Sequence, residues 1–442
     1  MTILSEEQEK VYNLWTKGRE NIFISGPGGS GKTKLIQYIY EKNNLSSHKK
    51  LQVCAMTGCA SVLLKCNAVT IHSWSGIRLG KEEPEVILAR IKKSYVLKQR
   101  WKKIQCLIID EISMMSVKIL ELLDFIGKNI RGNERPFGGI QLLFSGDFYQ
   151  LPPIENDSFC FESPLWNKIF KKENQIEFKT IFRQKDDIFQ NILNEIRVGT
   201  LTKENEIILK RYLNRNHTEV KPAKLYPLRY KVDNMNNTLY NNLKSKEYIY
   251  PIIKNLNTKK YLHNNTTIPS SILEKCNRLS KEQIEKEIQS LLLTNQIMNE
   301  LKIKKGSIIM CTSNLDVENG ICNGSQGVIE NCSTTLDGPE IRFYNGKKIK
   351  LNLHYIQSDD YPIISIGYYP ICYAWAMTIH KIQGTTLDCA EIDIGNNVFT
   401  YGQSYVALSR LKSLDGLYLK EISKEKITVH PKVKEFYSNL TL

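Results

Sequence analysis

Several features that define familiar protein classes are missing from this sequence of 442 residues. It contains 11 cysteines, but no two of them form a Cys-x-x-Cys pair, which argues against a zinc site. Their odd number and wide scatter argue against a disulfide scaffold, so we expect reduced thiols and a nuclear or cytoplasmic compartment. No stretch approaches the ~20 apolar residues of a membrane helix, and the first residues lack a basic segment followed by an apolar run. We therefore expect a soluble protein with no signal peptide and no membrane partner.

The sequence is also short of negative charge. It has 61 Lys and Arg against 46 Asp and Glu, a net charge of +15. Such an excess suits a polyanionic partner, because cations that neutralise phosphates release condensed counterions. The alternative is a merely solubilising charge, and the charge alone does not separate the two. The hydrophobic fraction of 41% permits a sizeable core, and the length allows two or more domains.

Short apolar segments alternate with helical ones in the first third of the chain. This alternation predicts an α/β fold with a parallel sheet. The pattern returns more loosely after about residue 181, with further strands at 225–228 and 391–394. A helical run at 279–301 and short strands separated by Asn-Gly turns predict an inserted β module; the turns begin at Asn319, Asn323 and Asn345. In the first third, the predicted strands are 21–25, 51–55, 106–109 and 140–144, and the predicted helix is 32–41.

A phosphate-binding loop lies between the first predicted strand and helix. Residues 26–33 read G-x-x-x-x-G-K-T, and the flanking strand and helix are the context that this motif requires. The glycines let backbone N–H groups approach phosphates, Lys32 reaches the β- and γ-phosphates, and the Thr33 hydroxyl ligates magnesium. A chance glycine-rich turn is the weaker alternative. The residues that we assign to nucleotide binding here are Gly26, Gly28, Gly29, Ser30, Gly31, Lys32 and Thr33.

Two acidic residues follow the apolar strand at 106–109. Asp110 is predicted to bind the metal, and Glu111 to polarise the attacking water. Taken alone, the pair could be an acidic strand end at a turn. Next to a phosphate loop it favours hydrolysis of a nucleoside triphosphate, with ATP and Mg²⁺ as cofactors. After the fourth strand, Gln150 can contact the γ-phosphate and report its loss.

Taken together, the motifs resemble helicase superfamily 1 group B, and most closely the petite-integration-frequency (PIF) helicases, which are related to RecD-like enzymes. The resemblance rests on residues 110–115 and 135–141 in the first part of the chain. In the second part it rests on residues 181–184, 374–388 and 405–410. It implies two RecA-like parallel-sheet domains of the P-loop NTPase class with a small inserted β-barrel-like module. It also implies a DNA helicase that moves 5′ to 3′ on single-stranded DNA in replication, recombination, repair or telomere maintenance.

The resemblance adds residues to the ATP site. Arg183 and Arg410 take the positions of arginine fingers, and Gln8 that of an adenine-contacting glutamine. Gln383 and Gly384 belong to the fifth motif of the family. We therefore expect catalysis from Lys32, Glu111, Gln150, Arg183 and Arg410.

The resemblance also supplies candidate contacts to single-stranded and duplex DNA. Trp74 and Phe148 are candidates for base stacking, with core packing as the alternative for each aromatic residue. We expect a monomer, and an Asn-, Lys- and Ile-rich composition hints at a viral gene. The candidate DNA contacts are Thr57, Gly58, His72, Trp74, Phe148, Thr378, His380 and Lys381.

The motifs also predict domain bounds. We expect a first RecA-like domain at 1–175, with a small wedge insertion near 72–103. A second such domain is expected at 176–240 and 370–442. The inserted helical and β module then occupies 241–369.

Overall fold

The structure is a computed structural model. It describes residues 4–47, 49–64, 66–153, 158–216, 222–256, 274, 276, 278–295, 297–313, 315–316, 319, 321, 325–333, 337–358 and 361–440. The chain folds into two compact units. The larger unit is Met1–Asp233 together with Ala376–Leu442, and the smaller unit is Asn234–Trp375.

The strands alternate with helices through most of the larger unit, and the smaller unit consists mainly of strands. The strands are β1 (Ile22–Ser25), β2 (Leu51–Ala55), β3 (Val69–Thr70), β4 (Cys106–Asp110), β5 (Gln141–Ser145), β6 (Gln175–Glu177), β7 (Ala223–Tyr226), β8 (Glu247–Pro251), β9 (Ile253–Asn255), β10 (Glu300–Lys304), β11 (Ile308–Cys311), β12 (Gln326–Asn331), β13 (Glu340–Phe343), β14 (Lys348–Lys350), β15 (His354–Gln357), β16 (Ser365–Tyr368), β17 (Ile371–Tyr373), β18 (Ala376–Thr378), β19 (Ala390–Ile394) and β20 (Leu417–Ile422).

The helices are α1 (Glu6–Asn13), α2 (Lys32–Lys42), α3 (Gly58–Leu63), α4 (Ile71–Ser75), α5 (Pro84–Lys93), α6 (Tyr95–Lys103), α7 (Val117–Arg131), α8 (Pro164–Ile169), α9 (Asp187–Val198), α10 (Lys203–Lys210), α11 (Arg229–Asn241), α12 (Lys281–Asn295), α13 (Gln403–Leu408) and α14 (Pro431–Leu440). None of the helices in the described ranges is both long and apolar enough to cross a bilayer.

The larger unit contains two parallel sheets. The first has the strand order β3-β2-β4-β5-β1-β6, and every pair in it is parallel. The second has the order β18-β7-β19-β20 and is also parallel. In β1 and β4 every residue is buried, as expected where helices cover both faces of a sheet. The predicted α/β fold class is confirmed.

The predicted elements of the first third match the structure to within one residue at each end. The strand predicted at 225–228 instead ends at Tyr226. Pro227 follows it, and proline has no N–H group to donate to a neighbouring strand. The local apolar pattern therefore predicted that a strand is present more accurately than it predicted where the strand ends.

The smaller unit consists mainly of antiparallel strands. They form sheets in the orders β10-β8, β14-β13-β12-β11-β17 and β15-β16-β9. These orders are linear, and closure into a barrel stays a prediction. The turn at Asn345 does join two strands, β13 and β14. In this turn Gly346 has φ = 84°, and the Phe343 N–H donates to Lys347 O over 2.8 Å. The turn predicted at Asn323 lies outside the described residues, as does the glycine after Asn319.

One helix prediction in this unit is wrong at its end. The helical run predicted at 279–301 stops at Asn295, and Glu300–Lys304 forms β10, which pairs with β8. Leu301 and Ile303 are buried while Lys302 is exposed. That alternation is the period-2 pattern of a strand with one covered face.

Candidate ATP and DNA site

The phosphate loop connects β1, which lies between β5 and the edge strand β6 in the first sheet, to α2. Gly29 and Gly31 have φ values of 91° and 85°, a conformation that disfavours other residues. A Cβ atom added to Gly29 would lie 2.5 Å from Arg183 Cβ, and one added to Gly31 would lie 2.5 Å from Gln8 Nε2. The loop therefore needs these glycines for its shape and for the groups packed against it.

Lys32 lies folded over this loop. Its Nζ donates to Gly26 O over 2.6 Å, to Pro27 O over 3.1 Å and to Ser30 Oγ over 3.4 Å. Burial lowers the pKa of the Lys32 ammonium, an effect that the carboxylates of Asp147, Glu111 and Asp110 oppose. The loop thus holds a half-buried cation whose hydrogen-bond partners are neutral oxygens, and a polyphosphate would be a stronger partner.

Asp110 and Glu111 lie at the end of β4, two strands away from β1. Asp110 is buried, and its Oδ1 accepts a hydrogen bond from the Glu111 N–H over 2.9 Å. Burial and the neighbouring charge of Glu111 raise the pKa of Asp110 to about 6. Glu111 has φ = 57°, a left-handed conformation that is strained for a residue with a side chain and is common at functional sites.

The protein oxygens near the phosphate loop fit a magnesium site only if a nucleotide supplies further ligands. No cluster of three or more His, Cys, Asp or Glu side chains that could hold a metal occurs among the described residues. Mg²⁺ is commonly held by one or two carboxylates plus substrate phosphates. The buried carboxyl of Asp110 and the hydroxyl of Thr33, at the start of α2, would supply the protein part of that set.

Gln383 connects the second sheet to Glu111, the predicted water-activating residue. It follows β18, is buried, and its Nε2 donates to Glu111 Oε2 over 3.0 Å. Its Oε1 has no hydrogen-bond partner within the described part of the protein. Next to it, Gly384 has φ = 83°, and a Cβ atom there would lie 3.6 Å from Glu111 Oε1. A buried acceptor that lacks a partner among the described residues beside the phosphate loop is available to a ligand that donates a hydrogen bond.

Arg183 and Arg410 reach the same loop. Arg183 Nη1 donates to Ser409 O over 2.8 Å, and Arg410 Nη2 donates to Ser409 Oγ over 2.8 Å. Only 2% of Arg410 is exposed, and a Cβ atom added to Gly28 would lie 3.5 Å from its Nη2. Burial and the nearby Arg410 cation lower the pKa of Arg183 to about 10, and burial also lowers the pKa of Arg410. Arg410 is buried and Arg183 half-buried, and neither forms an ion pair with a carboxylate of the described residues, so both guanidinium groups favour an anionic ligand.

Tyr405 is a contact that our sequence analysis missed. The Gly28 N–H of the phosphate loop donates to the Tyr405 hydroxyl over 2.8 Å. Tyr405 lies on α13 and is buried, and burial raises its pKa to about 12. The position of Tyr405 in the sixth motif was the only sequence signal for this contact. A tyrosine among apolar helix residues gives no reason to expect a hydrogen bond to a loop of the other sheet.

The loop after β5 is held by a second missed residue, Arg197 on α9. Arg197 Nε donates to Asp147 Oδ2 over 3.0 Å and its Nη2 to Asp147 Oδ1 over 2.9 Å, while the guanidinium lies 4.5 Å from the Tyr149 ring centre. From α14, the Tyr437 hydroxyl donates to Asp147 Oδ1 over 3.3 Å. This buried network fixes the loop that carries Gln150, whose Oε1 has no partner among the described residues.

Both the oxygen and the nitrogen of the Gln8 side-chain amide form hydrogen bonds with nearby backbone groups. Its Oε1 accepts from the Ser5 N–H over 3.0 Å, completing the N-terminal cap of α1, and its Nε2 donates to Gly31 O over 3.3 Å. The residue therefore lies against the phosphate loop. A base contact by Gln8 stays a prediction.

The DNA candidates of the first sheet follow its outer strands. Thr57 and Gly58 come after β2, and His72 comes after β3. Thr57 Oγ1 accepts from the Ala60 N–H over 3.2 Å at the start of α3. Gly58 is exposed, and burial lowers the pKa of the half-buried His72.

Trp74 and Phe148 do not offer a ring face to a base. Trp74 is buried with its ring centre 4.9 Å from that of Trp101. Phe148 is buried in an aromatic cluster, 4.7 Å from Phe161 and 5.3 Å from Phe436. Base stacking requires an exposed ring, so the core-packing alternative holds for both residues.

Candidates from the second sheet lie at the end of β18 and directly after it. Thr378 Oγ1 accepts from the Lys381 N–H over 3.3 Å. The half-buried His380 ring stacks on Phe399, with ring centres 5.7 Å apart and planes 15° apart. Burial lowers the pKa of His380, which keeps the ring neutral near pH 7.

Comparison with known proteins decides the family. The model of the PIF1-like helicases matches residues 3–207, and that of the 2B domain of DNA helicase Pif1 matches residues 288–331. The crystal structure of the Candida albicans Pif1 helicase is 32% identical, with a TM-score of 0.82 and full coverage of both chains. The chain belongs to the PIF1-like helicases. The resemblance drawn from the motifs is confirmed, and so is the enzyme class, a helicase that uses ATP.

Other relatives of this PIF1-like helicase differ in length. The uncharacterised protein 030L of Invertebrate iridescent virus 6 is 30% identical, over 99% of this chain and 94% of its own length. The human ATP-dependent DNA helicase PIF1 is 30% identical over 99% of this chain but only 64% of its own length. The chain thus spans just under two thirds of that cellular relative. The individual roles of the ATP and DNA residues stay predictions.

Proposed function

We propose that this chain is a DNA helicase that hydrolyses ATP with Mg²⁺ to move 5′ to 3′ along single-stranded DNA and to unwind duplex or structured DNA. The contact between Gln383 and Glu111 carries this proposal, because it links the candidate water-activating carboxylate of one sheet to a residue of the other. A Bacteroides Pif1, 27% identical to this chain, has been solved bound to single-stranded DNA, and another Pif1 structure concerns unwinding at forked DNA. Roles in replication, recombination, repair or telomere maintenance follow from the family resemblance.

At the proposed ATP site, the backbone N–H groups of the phosphate loop and the Lys32 side chain bind the phosphates. Asp110 and Thr33 would hold Mg²⁺, which would neutralise phosphate charge when bound. Glu111, oriented by Gln383, accepts a proton from the attacking water. Arg183 and Arg410 stabilise the charge that develops on the γ-phosphoryl oxygens.

We infer that the two sheets of the larger unit are the cores of two RecA-like domains, divided near residue 175. Residues from both sheets contact the phosphate loop, so loss of the γ-phosphate weakens the contacts that hold the sheets together. The DNA candidates Thr57 and His72 follow strands of one sheet, while in the other sheet Thr378 ends β18 and Lys381 follows it. A change in the distance between the two sheets then moves one group of DNA contacts past the other.

The proposal extends to partners and compartment. The net charge of +15 favours binding to the DNA backbone. The cysteines that the structure describes are free thiols, which suits a reducing nuclear or cytoplasmic compartment or a virus-infected cell. We propose a monomer as the form that binds DNA.

Directional unwinding tests the proposal. The substrates are duplexes of equal length with a 5′ tail, a 3′ tail or an RNA tail, each incubated with ATP and Mg²⁺. We expect strand displacement from the 5′-tailed DNA, and none with Glu111→Gln or without ATP. ATP hydrolysis without any displacement indicates a translocase that does not unwind, and displacement confined to the 3′-tailed DNA overturns the polarity.

A further inference from the structure

A buried glutamine directly follows Arg183 in the chain and contacts the residues next to Arg410. Gln184 is only 2% exposed, so the polar atoms of its side-chain amide need partners inside the protein. Its Nε2 donates to Leu411 O over 2.8 Å and to Ser409 O over 3.4 Å. These two carbonyl groups belong to the residues before and after Arg410. One amide group therefore holds the backbone on both sides of that arginine.

The segment that carries Gln184 is itself attached to the phosphate loop. The Phe182 N–H donates to Gly29 O over 2.9 Å, and a Cβ atom added to Gly29 would lie 3.4 Å from Gln184 Oε1. Gln190 on α9 donates through its Nε2 to Gln184 O over 2.7 Å. The backbone of Gln184 is thus fixed beside the phosphate loop, and its side chain links that position to the backbone around Arg410.

The guanidinium group of Arg410 makes its own hydrogen bonds within the part of the chain that forms the second sheet. Its Nε donates to Val406 O over 2.9 Å, its Nη2 to Ser409 Oγ over 2.8 Å and its Nη1 to Thr385 O over 3.4 Å. These bonds orient the guanidinium relative to its own backbone, but they do not set its distance from the phosphate loop. The bonds from Gln184 do so, because they join that backbone to a residue more than 200 positions earlier in the chain.

We propose that Gln184 is a positioning residue for Arg410, and that its two hydrogen bonds to the flanking carbonyl groups hold the guanidinium where it reaches the γ-phosphate. This inference rests on the proposed function, in which Arg410 stabilises the charge that develops during hydrolysis. Gln184 does not bind a phosphate itself. Its Nε2 is already engaged, and its Oε1, which has no partner among the described residues, only accepts hydrogen bonds, as phosphate oxygens do. The side chain therefore acts through Arg410.

A double-mutant cycle tests this role. DNA-stimulated ATP hydrolysis is measured for the full chain, for Gln184→Met, for Arg410→Ala and for the double variant, with single-turnover assays for the slow ones. Methionine has nearly the length of glutamine but donates no hydrogen bond. We expect Gln184→Met to lower kcat at least about tenfold and to change KM for ATP less than about twofold, because a misplaced transition-state group costs rate rather than binding.

The second arm of the cycle separates positioning from a general structural role. In the Arg410→Ala background, Gln184→Met should cause no further loss of kcat, since no guanidinium remains to be positioned. Gln184→Leu, which is also unable to donate, repeats the cycle where Gln184→Met is unfolded at the assay temperature.

Gln141→Met is the matched control. Gln141 Nε2 also donates to two backbone carbonyl groups, Trp15 O over 2.9 Å and Glu20 O over 3.1 Å. Gln141 begins β5, however, at the end of the first sheet opposite to the phosphate loop. We expect a lower thermal midpoint for this variant and an unchanged kcat.

Two kinds of failure are distinguishable. If Gln184→Met lowers kcat by the same factor in both backgrounds, raises only KM or has no effect, the positioning role is refuted while the proposed function stands. If Arg410→Ala hydrolyses ATP at the wild-type rate, the role that the proposed function gives to Arg410 fails, and the positioning role fails with it.

Discussion

The two groups of candidate residues occupy the same kind of position, after the carboxyl ends of parallel strands, yet they differ in how tightly they are packed. Parts of the phosphate loop are tightly packed, and a Cβ atom at Gly29 would lie 2.5 Å from Arg183 Cβ. On the DNA side, a Cβ atom at Gly58 would have no atom within 4 Å. Side chains that follow strands of both sheets pack against the phosphate loop, whereas among the DNA candidates Gly58 is exposed and has open space beside it.

This difference follows from the two tasks. Charge stabilisation during hydrolysis works through groups fixed in advance inside a water-poor site. A moving DNA strand instead needs contacts that form and break repeatedly. The following predictions test the contrast, beginning with the largest expected effect.

Arg410→Ala should reduce DNA-stimulated ATP turnover the most. The buried guanidinium has no carboxylate partner among the described residues, and a Cβ atom at Gly28 of the phosphate loop would lie 3.5 Å from its Nη2. Arginine fingers in related enzymes are worth about 10³–10⁵ in rate. We expect kcat to fall by about 10³ in a steady-state ATPase assay, with DNA affinity retained. Arg211→Ala, an exposed arginine after α10, is the control. A loss below tenfold would contradict the assignment of Arg410 as a finger.

Trp74→Ala should impair folding rather than DNA binding. Removing a buried tryptophan costs about 3–5 kcal/mol, and Trp74 packs on Trp101 in the core. We expect a clearly lower midpoint in differential scanning calorimetry, with unchanged affinity for single-stranded DNA at a temperature where the variant is folded. Weaker DNA binding at an unchanged midpoint would place this ring on the DNA surface instead of in the core.

Gly29→Ala and Gly58→Ala form a matched pair across the two groups. The first substitution meets a positive φ and a clash, and the second meets neither. We expect kcat/KM for ATP to fall at least about tenfold in Gly29→Ala, since a displaced loop misplaces its N–H groups. Gly58→Ala should leave kcat/KM unchanged. Equal effects in the two variants would show that packing does not distinguish the two groups.

Tyr405→Phe should have the smallest effect. Its hydroxyl accepts from the Gly28 N–H, an N–H group that we expect to turn to a phosphate when ATP binds. The variant leaves this N–H without a partner in the ATP-free protein, at a cost of about 1 kcal/mol, so KM for ATP should fall a few-fold. Tyr418→Phe, a buried tyrosine on β20, is the control. An unchanged or higher KM would show that the hydroxyl does not compete with phosphate.

Much of the fold was predictable because its signals are local. The strand, loop and helix around Lys32 each have a pattern within a few residues, and the structure matches them. The end of β7 at Tyr226 and the strand Glu300–Lys304 were less predictable. The position of β10 depends on its partner strand Glu247–Pro251, about 50 residues earlier in the chain.

The sequence alone determined the chemistry of this protein: a phosphate loop, an acidic pair after a strand and the motifs of a helicase family. These depend on residue type and short spacing, which the chain carries directly. Only the tertiary structure decided which aromatic rings are exposed, and that Tyr405 and Arg197 support the loops of the ATP site. Burial and long-range hydrogen bonds join residues far apart in the chain, such as Asp147 and Tyr437. Phe148 and Phe399 are the same residue type, and only packing places one in the core and the other in water.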